Sequence, residues 1–191
     1  MKSLCNFSLF FDKQVSQLIA ILKSFIYVCY PSYSELCIKT HSKFLFLVLN
    51  FLKNAPLYKF KCLLDMIVID QPGKKYRFVV IYCLLSVNYN QRFYVAVQTN
   101  EIKGIFSVIS LYSSAGWMER EIWDLYGIRF LNHFDLRRIL TDYGFEGFPL
   151  RKDFPLSGYK EIFYSDLSKS IVRENIELVQ GYRNFKYFNP W

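Results

Sequence analysis

"YRFVVIYCLLSVNYNQRFYVAVQ", residues 76–98, decides the fold. Residues 76–87 are apolar at almost every position, as a strand buried on both faces requires. Residues 91–98 alternate, with Phe93, Val95 and Val97 on one side and Arg92, Tyr94, Ala96 and Gln98 on the other. That is the period of a strand with one wet face. "NYN" between them predicts a hairpin at the centre of a sheet. Working outward, "LLDMIVID" at 63–70 is a further strand, closed by the turn "QPGKK". Residues 25–40 read as two short strands around "PSYS". Helices are expected over 9–24, from a cap at Ser42 to about Lys53, and over 103–112 and 115–126. In the second of these, Phe46, Leu49 and Leu52/Lys53 share or flank one face. The fold class is α+β: a small mixed sheet of about five strands packed with helices over residues 1–128, then a long extended C-terminal arm over 129–191.

The last helix carries "WMEREIWDLYGIRF", Trp117 to Phe130. Met118, Ile122, Leu125 and Tyr126 form an apolar stripe at i, i+4, i+7 and i+8. Glu119 and Glu121 are two residues apart, so they point to different sides and form no acid/base dyad. Arg120 and Asp124 can pair at i, i+4, and Glu119 complements the helix dipole. Gly127 sits where a left-handed residue ends a helix. These charges read as structural. A free-standing hydrolase using Glu119, Glu121 and Asp124 would need a convergence that helical spacing forbids.

After Phe130 the periodicity disappears. "RRILTDYGFEGFPLRKDFPLSGYKE", residues 137–161, holds Gly144, Gly147, Gly158, Pro149 and Pro155, which break helices and strands. It is no linker, because Ile139, Leu140, Tyr143, Phe145, Phe148, Leu150, Phe154 and Leu156 recur through it. Compact domains rarely carry so long an irregular segment, and large apolar side chains need a surface to lie on. The segment reads as a docking arm. Arg137, Arg138, Arg151 and Lys152 are interspersed with Asp135, Asp142, Glu146 and Asp153, a mixture suited to a protein interface rather than to a phosphate backbone.

Composition narrows the function classes. Residues 1–103 carry 13 Lys+Arg against 5 Asp+Glu, whereas residues 104–191 carry 11 of each. A basic half invites an RNA or an anionic surface, yet its lysines are dispersed as on a solvated face. The richness in Phe, Tyr, Asn, Lys and Ile matches AT-rich codons and an organellar or endosymbiont gene. The 5 cysteines show no C-x-x-C or metal-ligand spacing and read as free thiols in a reducing compartment. With only 2 histidines, a zinc, iron–sulfur or haem site held by this chain is not expected. "FLFLVL" at 44–49 is far too short to span a membrane, and the N-terminus, with Asp12 and no arginine, makes a poor import presequence. "DYGFEG" and "PLSGY" lack the strand–glycine–helix context of a phosphate loop. Ser157 has no histidine near it in sequence, and His133 reads as a loop residue that satisfies backbone groups.

Residues 113–161, "SSAGWMEREIWDLYGIRFLNHFDLRRILTDYGFEGFPLRKDFPLSGYKE", closely resemble the signature region of the NADH dehydrogenase subunit 9 family, the mitochondrial counterpart of the bacterial C subunit of respiratory complex I. The resemblance continues in "ENIELVQGYRNFKYFNPW" at 174–191 and in the paired strands upstream. Phe134, Phe148, Val79 and Asn175 depart from the residues usual in the family (proline, histidine, glutamate and proline). The resemblance implies a non-catalytic structural subunit of the peripheral arm, on the matrix side of the mitochondrial inner membrane and mitochondrially encoded. It implies no cofactor on this chain, with FMN and iron–sulfur clusters in partner subunits. The implied partner is the large subunit that helps form the quinone site. Glu119, Arg120, Glu121, Asp124 and Gly127 make up the signature helix. Arg137, Arg138, Asp142, Gly147, Arg151 and Asp153, with Tyr143, Phe145 and Phe154 as apolar anchors, are the expected interface. The alternative is an organellar RNA-binding or ribosome-associated protein that uses the basic N-terminal half.

Overall fold

The computed structural model describes residues 20–32 and 35–177, with Gln17, Gly181, Arg183 and Phe185 besides. The chain divides into two compact units, Met1–Lys152 and Asp153–Trp191. This division lies beyond the boundary expected at residue 128.

The first unit is built on a five-stranded mixed sheet of order β1-β2-β5-β4-β3. β1 (Ile26–Ser32) and β2 (Glu35–Thr40) form the expected antiparallel hairpin. β3 (Cys62–Asp70) and β5 (Gln91–Thr99) flank β4 (Phe78–Ser86), both antiparallel to it. β4 is buried or half-buried at every position, on both faces, which matches its continuous apolar sequence. β2 pairs parallel with β5, with Ile38 opposite Val95, and this makes the sheet mixed. The connection from β2 to β3 carries helix α1 (Leu45–Asn54).

One sheet face and the helices share a single core. Leu36 and Ile38 of β2, Phe78, Val80, Tyr82 and Leu84 of β4, and Phe93, Val95 and Val97 of β5 are buried there. α1 lays Leu45, Val48, Leu49 and Leu52 on them. Each such side chain contributes about 1.5–3 kcal/mol. The helix does not use Ser42 as its cap. Phe44 is the N-cap, without a side-chain hydrogen bond, because Ser42 lies in the turn closed by Phe44 N–H donating to His41 O at 3.0 Å. Phe46 also turns outward, 39% exposed. Leu49→Ala should therefore cost about 2–5 kcal/mol, while Phe46→Ala should stay within about 0.5 kcal/mol. Denaturant midpoints of the two variants check this.

The helix expected at 103–112 is absent. Residues Ile105–Phe106 form a short strand, β6, parallel to β7 (Phe130–Leu131). Ile105 N–H donates to Arg129 O at 3.0 Å and Ser107 N–H to Leu131 O at 2.8 Å. Only one turn follows, closed by Leu111 and Tyr112 N–H on Val108 O. Apolar periodicity is present there, but the partner strand captures the backbone donors. α2 (Ala115–Tyr126) forms as expected. The helix expected at 9–24 lies largely outside the described residues, and only 20–22 and Gln17 of it are seen as helical.

The second unit is irregular up to Tyr159 and then forms an antiparallel hairpin of β8 (Lys160–Ser165) and β9 (Ser170–Asn175). That hairpin had no sequence expectation. Phe154 packs edge-on against Tyr159 at 5.3 Å. Ile162, Phe163, Tyr164 and Ile171 of the hairpin are exposed.

Candidate partner interface and its buried anchors

α2 is where charge and burial meet. Its buried residues are Ala115, Glu119, Ile122 and Asp124, so two of the four signature charges lie inside the protein. Met118, Leu125 and Tyr126 of the expected apolar stripe are only half-buried. Gly127 ends the helix in the left-handed conformation, φ 74°, its N–H donating to Trp123 O at 3.0 Å. Here the reading of Gly127 as a helix stop holds.

Asp124 organises the segment that returns past the helix. Its Oδ2 accepts from Ile139, Leu140 and Thr141 N–H at 3.2, 2.7 and 2.9 Å, and its Oδ1 from the Thr141 hydroxyl at 2.6 Å. The expected Arg120–Asp124 pair does not form. Arg120 donates instead to Arg137 O at 3.3 Å and lies over the Trp117 ring. Burial pushes the Asp124 carboxyl up, but the bonds from Thr141, Leu140 and Ile139 outweigh it and leave the group below the ordinary carboxylate range. Arg138 Nε stands 3.8 Å from the same carboxylate. Its Nη1 and Nη2 donate to Phe145 O and Gly147 O at 3.0 and 2.9 Å. Arg138 thus closes the 138–147 loop on itself.

A second anchor stands at the end of β3. Arg77 binds Asp70 through two bonds of 2.8 and 2.9 Å, and Lys152 N–H donates to Asp70 Oδ2 at 2.9 Å. These bonds, the Arg77 pair foremost, hold the Asp70 carboxyl below its ordinary range against the opposing effect of burial. Arg151 donates from Nε to Tyr126 O at 2.6 Å and stands 3.3 Å from Glu101. Its guanidinium also lies 4.5 Å from the Phe148 ring centroid. Phe148 in turn meets Trp123 edge-on at 6.0 Å.

Glu119 is wholly buried and accepts Val108 N–H at 2.8 Å. His133 does satisfy backbone groups, accepting Asp135 N–H at Nδ1, 3.0 Å, with Nε2 3.3 Å from Gly116 O. Glu119 and Asp124 therefore serve different segments, and Glu121 is exposed.

The remaining interface candidates are mostly at the surface. Arg137 is 71% exposed in its side chain and pairs with Asp135 at 3.1 Å. Asp142, Tyr143 and Gly147 are exposed, and Phe145 is half-buried under Arg138. Asp153 and Phe154 belong to the second unit, Asp153 exposed and Phe154 half-buried. The large apolar side chains most open over residues 113–152 are Trp117 (65%), Phe134 (82%), Leu140 (60%) and Tyr143 (91%). Trp117, Phe134 and Leu140 were not among the named interface residues, although the aromatic character of the first two between charged neighbours was visible.

Fold and sequence together define a component of a respiratory-chain dehydrogenase: residues 38–160 match the family described as "Respiratory-chain NADH dehydrogenase, 30 Kd subunit". The chain belongs to that family and is a subunit of complex I, NADH:ubiquinone oxidoreductase. It is 52% identical over 152 residues to NADH dehydrogenase (ubiquinone) iron–sulfur protein 3 of Beta trigyna, covering 80% of this chain and 79% of that one. It is 49% identical over 160 residues to the C subunit of NADH-quinone oxidoreductase from Parvibaculum lavamentivorans, covering 84% and 80%. It is 46% identical over 174 residues to NADH-ubiquinone oxidoreductase subunit 9 of Reclinomonas americana, covering 91% and 85%. A chain of the membrane-bound sulfane sulfur reductase, an archaeal respiratory membrane complex, shares the fold with TM-score 0.65 at 21% identity, over 76% of this chain and 85% of that one. Membership in this family sets aside the RNA-binding reading.

Proposed function

We propose that the chain is a non-catalytic, structural subunit of the peripheral arm of complex I, with segment 129–191 docking on the large subunit that helps form the quinone site. One observation carries this: the signature stretch is anchored from beneath by buried carboxylates while its large apolar side chains face outward. Leu140 is exposed beside the backbone that Asp124 holds, and Tyr143 is 91% exposed in the loop that Arg138 closes. Exposed aromatic side chains on a rigid, internally satisfied loop are the composition of a protein interface. The β8–β9 hairpin supports the same reading, since it forms a two-stranded sheet of its own that carries exposed Ile162, Phe163, Tyr164 and Ile171.

Redox groups are assigned to partner subunits. Cys37, Cys62 and Cys83 stand on β2, β3 and β4, and among the described residues no three His, Cys, Asp or Glu are grouped to hold a metal ion. That donor set does not fit an iron–sulfur cluster. Among the described residues no helix is long and apolar enough to cross a membrane, so attachment on the matrix side of the mitochondrial inner membrane would run through the complex. Mitochondrial encoding is part of the same proposal, resting on the AT-rich residue usage.

The paired variant Leu140→Ser/Tyr143→Ser tests this. It should leave the stability of the chain within about 1 kcal/mol, since exposed positions contribute little, yet lower the amount of assembled complex severalfold on native gels. Unchanged assembly, or normal complex with a raised quinone KM, would sink the docking reading.

A further inference from the structure

Glu119 keeps one carboxylate oxygen that no donor reaches, in a place closed to solvent. Oε1 takes the Val108 N–H, whereas Oε2 is buried without a hydrogen-bond partner. The Tyr82 hydroxyl, buried on β4, shares that condition and couples electrostatically to Glu119. His133 Nε2 stands 3.8 Å from Oε2, with both side chains wholly buried. The backbone decides where the imidazole hydrogen sits. Asp135 N–H points at Nδ1, so Nδ1 is an acceptor and the hydrogen belongs on Nε2, within reach of Gly116 O. His133 thus presents Nε2 to Gly116 O rather than a hydrogen bond to Oε2.

An ionised Glu119 in this site would leave Oε2 a buried charged oxygen with no hydrogen bond to offset its desolvation. A protonated one has an O–H to give and keeps Oε1 for Val108. We propose that Glu119 is a proton-occupied latch: as a neutral carboxyl it holds α2 against residues 107–108 and 133–135, and loss of the proton loosens that junction. The groups facing it are Tyr82 from β4, His133 from the segment after β7, and Ser107 and Val108 from the segment after β6. The charged neighbours on α2 turn elsewhere, Arg120 to Arg137 O and Asp124 to residues 139–141. Burial raises the Glu119 carboxyl from 4.5 to about 7, with the Val108 and Ser107 bonds opposing.

In the unfolded chain Glu119 loses its proton near its ordinary value, while the folded chain keeps it. The stability linked to this group is complete below about 4.5 and lost as pH rises through about 7. The folding equilibrium constant of the full-length chain should then fall by as much as tenfold per pH unit between those values. Glu119→Gln keeps the shape and removes the titration, so that fall should vanish. Protection of the Val108 and Asp135 amides, corrected for intrinsic exchange, should drop above pH 7 in the wild type and stay level in the variant. Infrared spectra of the wild type should show a protonated-carboxyl band at pH 6 that fades by pH 8.5, a readout that does not require the variant to fold. An unchanged pH slope in Glu119→Gln, or no such band at pH 6, overturns the proposal.

Discussion

Asp124→Ala should lower the stability of the chain by about 3–5 kcal/mol, the range for stripping the partner from a buried charged hydrogen-bond centre. Three backbone N–H groups and the Thr141 hydroxyl converge on this one carboxylate. Without it they face a cavity, and water can replace the acceptor only partly, because Asp124 itself is 0% exposed. Asp124→Asn is the informative companion. Its amide oxygen can still take the three N–H groups, and its NH2 can donate to the Thr141 hydroxyl once that hydroxyl rotates. What it loses is charge assistance and the nearby Arg138, so about 1–2 kcal/mol is expected. Denaturant midpoints separate the two, and limited proteolysis within 137–147 should speed up in the alanine variant first. Equal losses in both would mean that carboxylate geometry is not what holds the segment. The pH response has the opposite sign to that of Glu119. Because the Asp124 and Asp70 carboxyls are held low in the fold, their contribution is present above the ordinary carboxylate range and is lost as pH falls through their folded values.

These two carboxylates also mark how far the sequence can be read. The strands over 62–99 are legible because alternation reports burial directly, and continuous apolarity identifies β4 as a strand buried on both faces. The segment at 103–112 misleads because its backbone donors are taken by β7, a partner more than twenty residues away. Within α2, Glu119 lies between Ala115 and Ile122 at i, i+4 and i+7, so a helical projection places it on the buried face. It reads as wet because charge overrides position in such judgements. Asp124 is two residues from Ile122, off that face, and nothing local could bury it. Residues 139–141 do so by crossing the helix, a tertiary event with no periodic signature. Arg138 and Arg151 donate to backbone carbonyls of their own unit, and Arg151 also stands beside Glu101, contacts that leave no periodic signature in the sequence.

Gly127→Ala should cost about 2–5 kcal/mol, combining about 1–2 kcal/mol for a left-handed alanine with about 1–3 kcal/mol for overpacking. The residue sits at φ 74°, and a Cβ there would meet Phe148 Cε2 and Cζ at 2.6 Å and Arg151 Nη2 at 2.7 Å. Neither neighbour yields cheaply. Phe148 is fixed edge-on against Trp123, and Arg151 is tied to Tyr126 O and stands beside Glu101. Displacing them disturbs the turn in which Leu150 N–H donates to Leu125 O at 3.2 Å and Lys152 N–H reaches Asp70. Gly158 serves as the control, because it has the same φ of 74° but its nearest atoms would stand 3.8 and 3.9 Å from a Cβ. Gly158→Ala should therefore show the backbone strain alone, about 1–2 kcal/mol. If the two glycine variants lose equal stability, the close approach of Phe148 and Arg151 carries no energy. If Gly127→Ala loses at least about 1–2 kcal/mol more, the end of α2 is where the 148–152 turn is locked to the sheet.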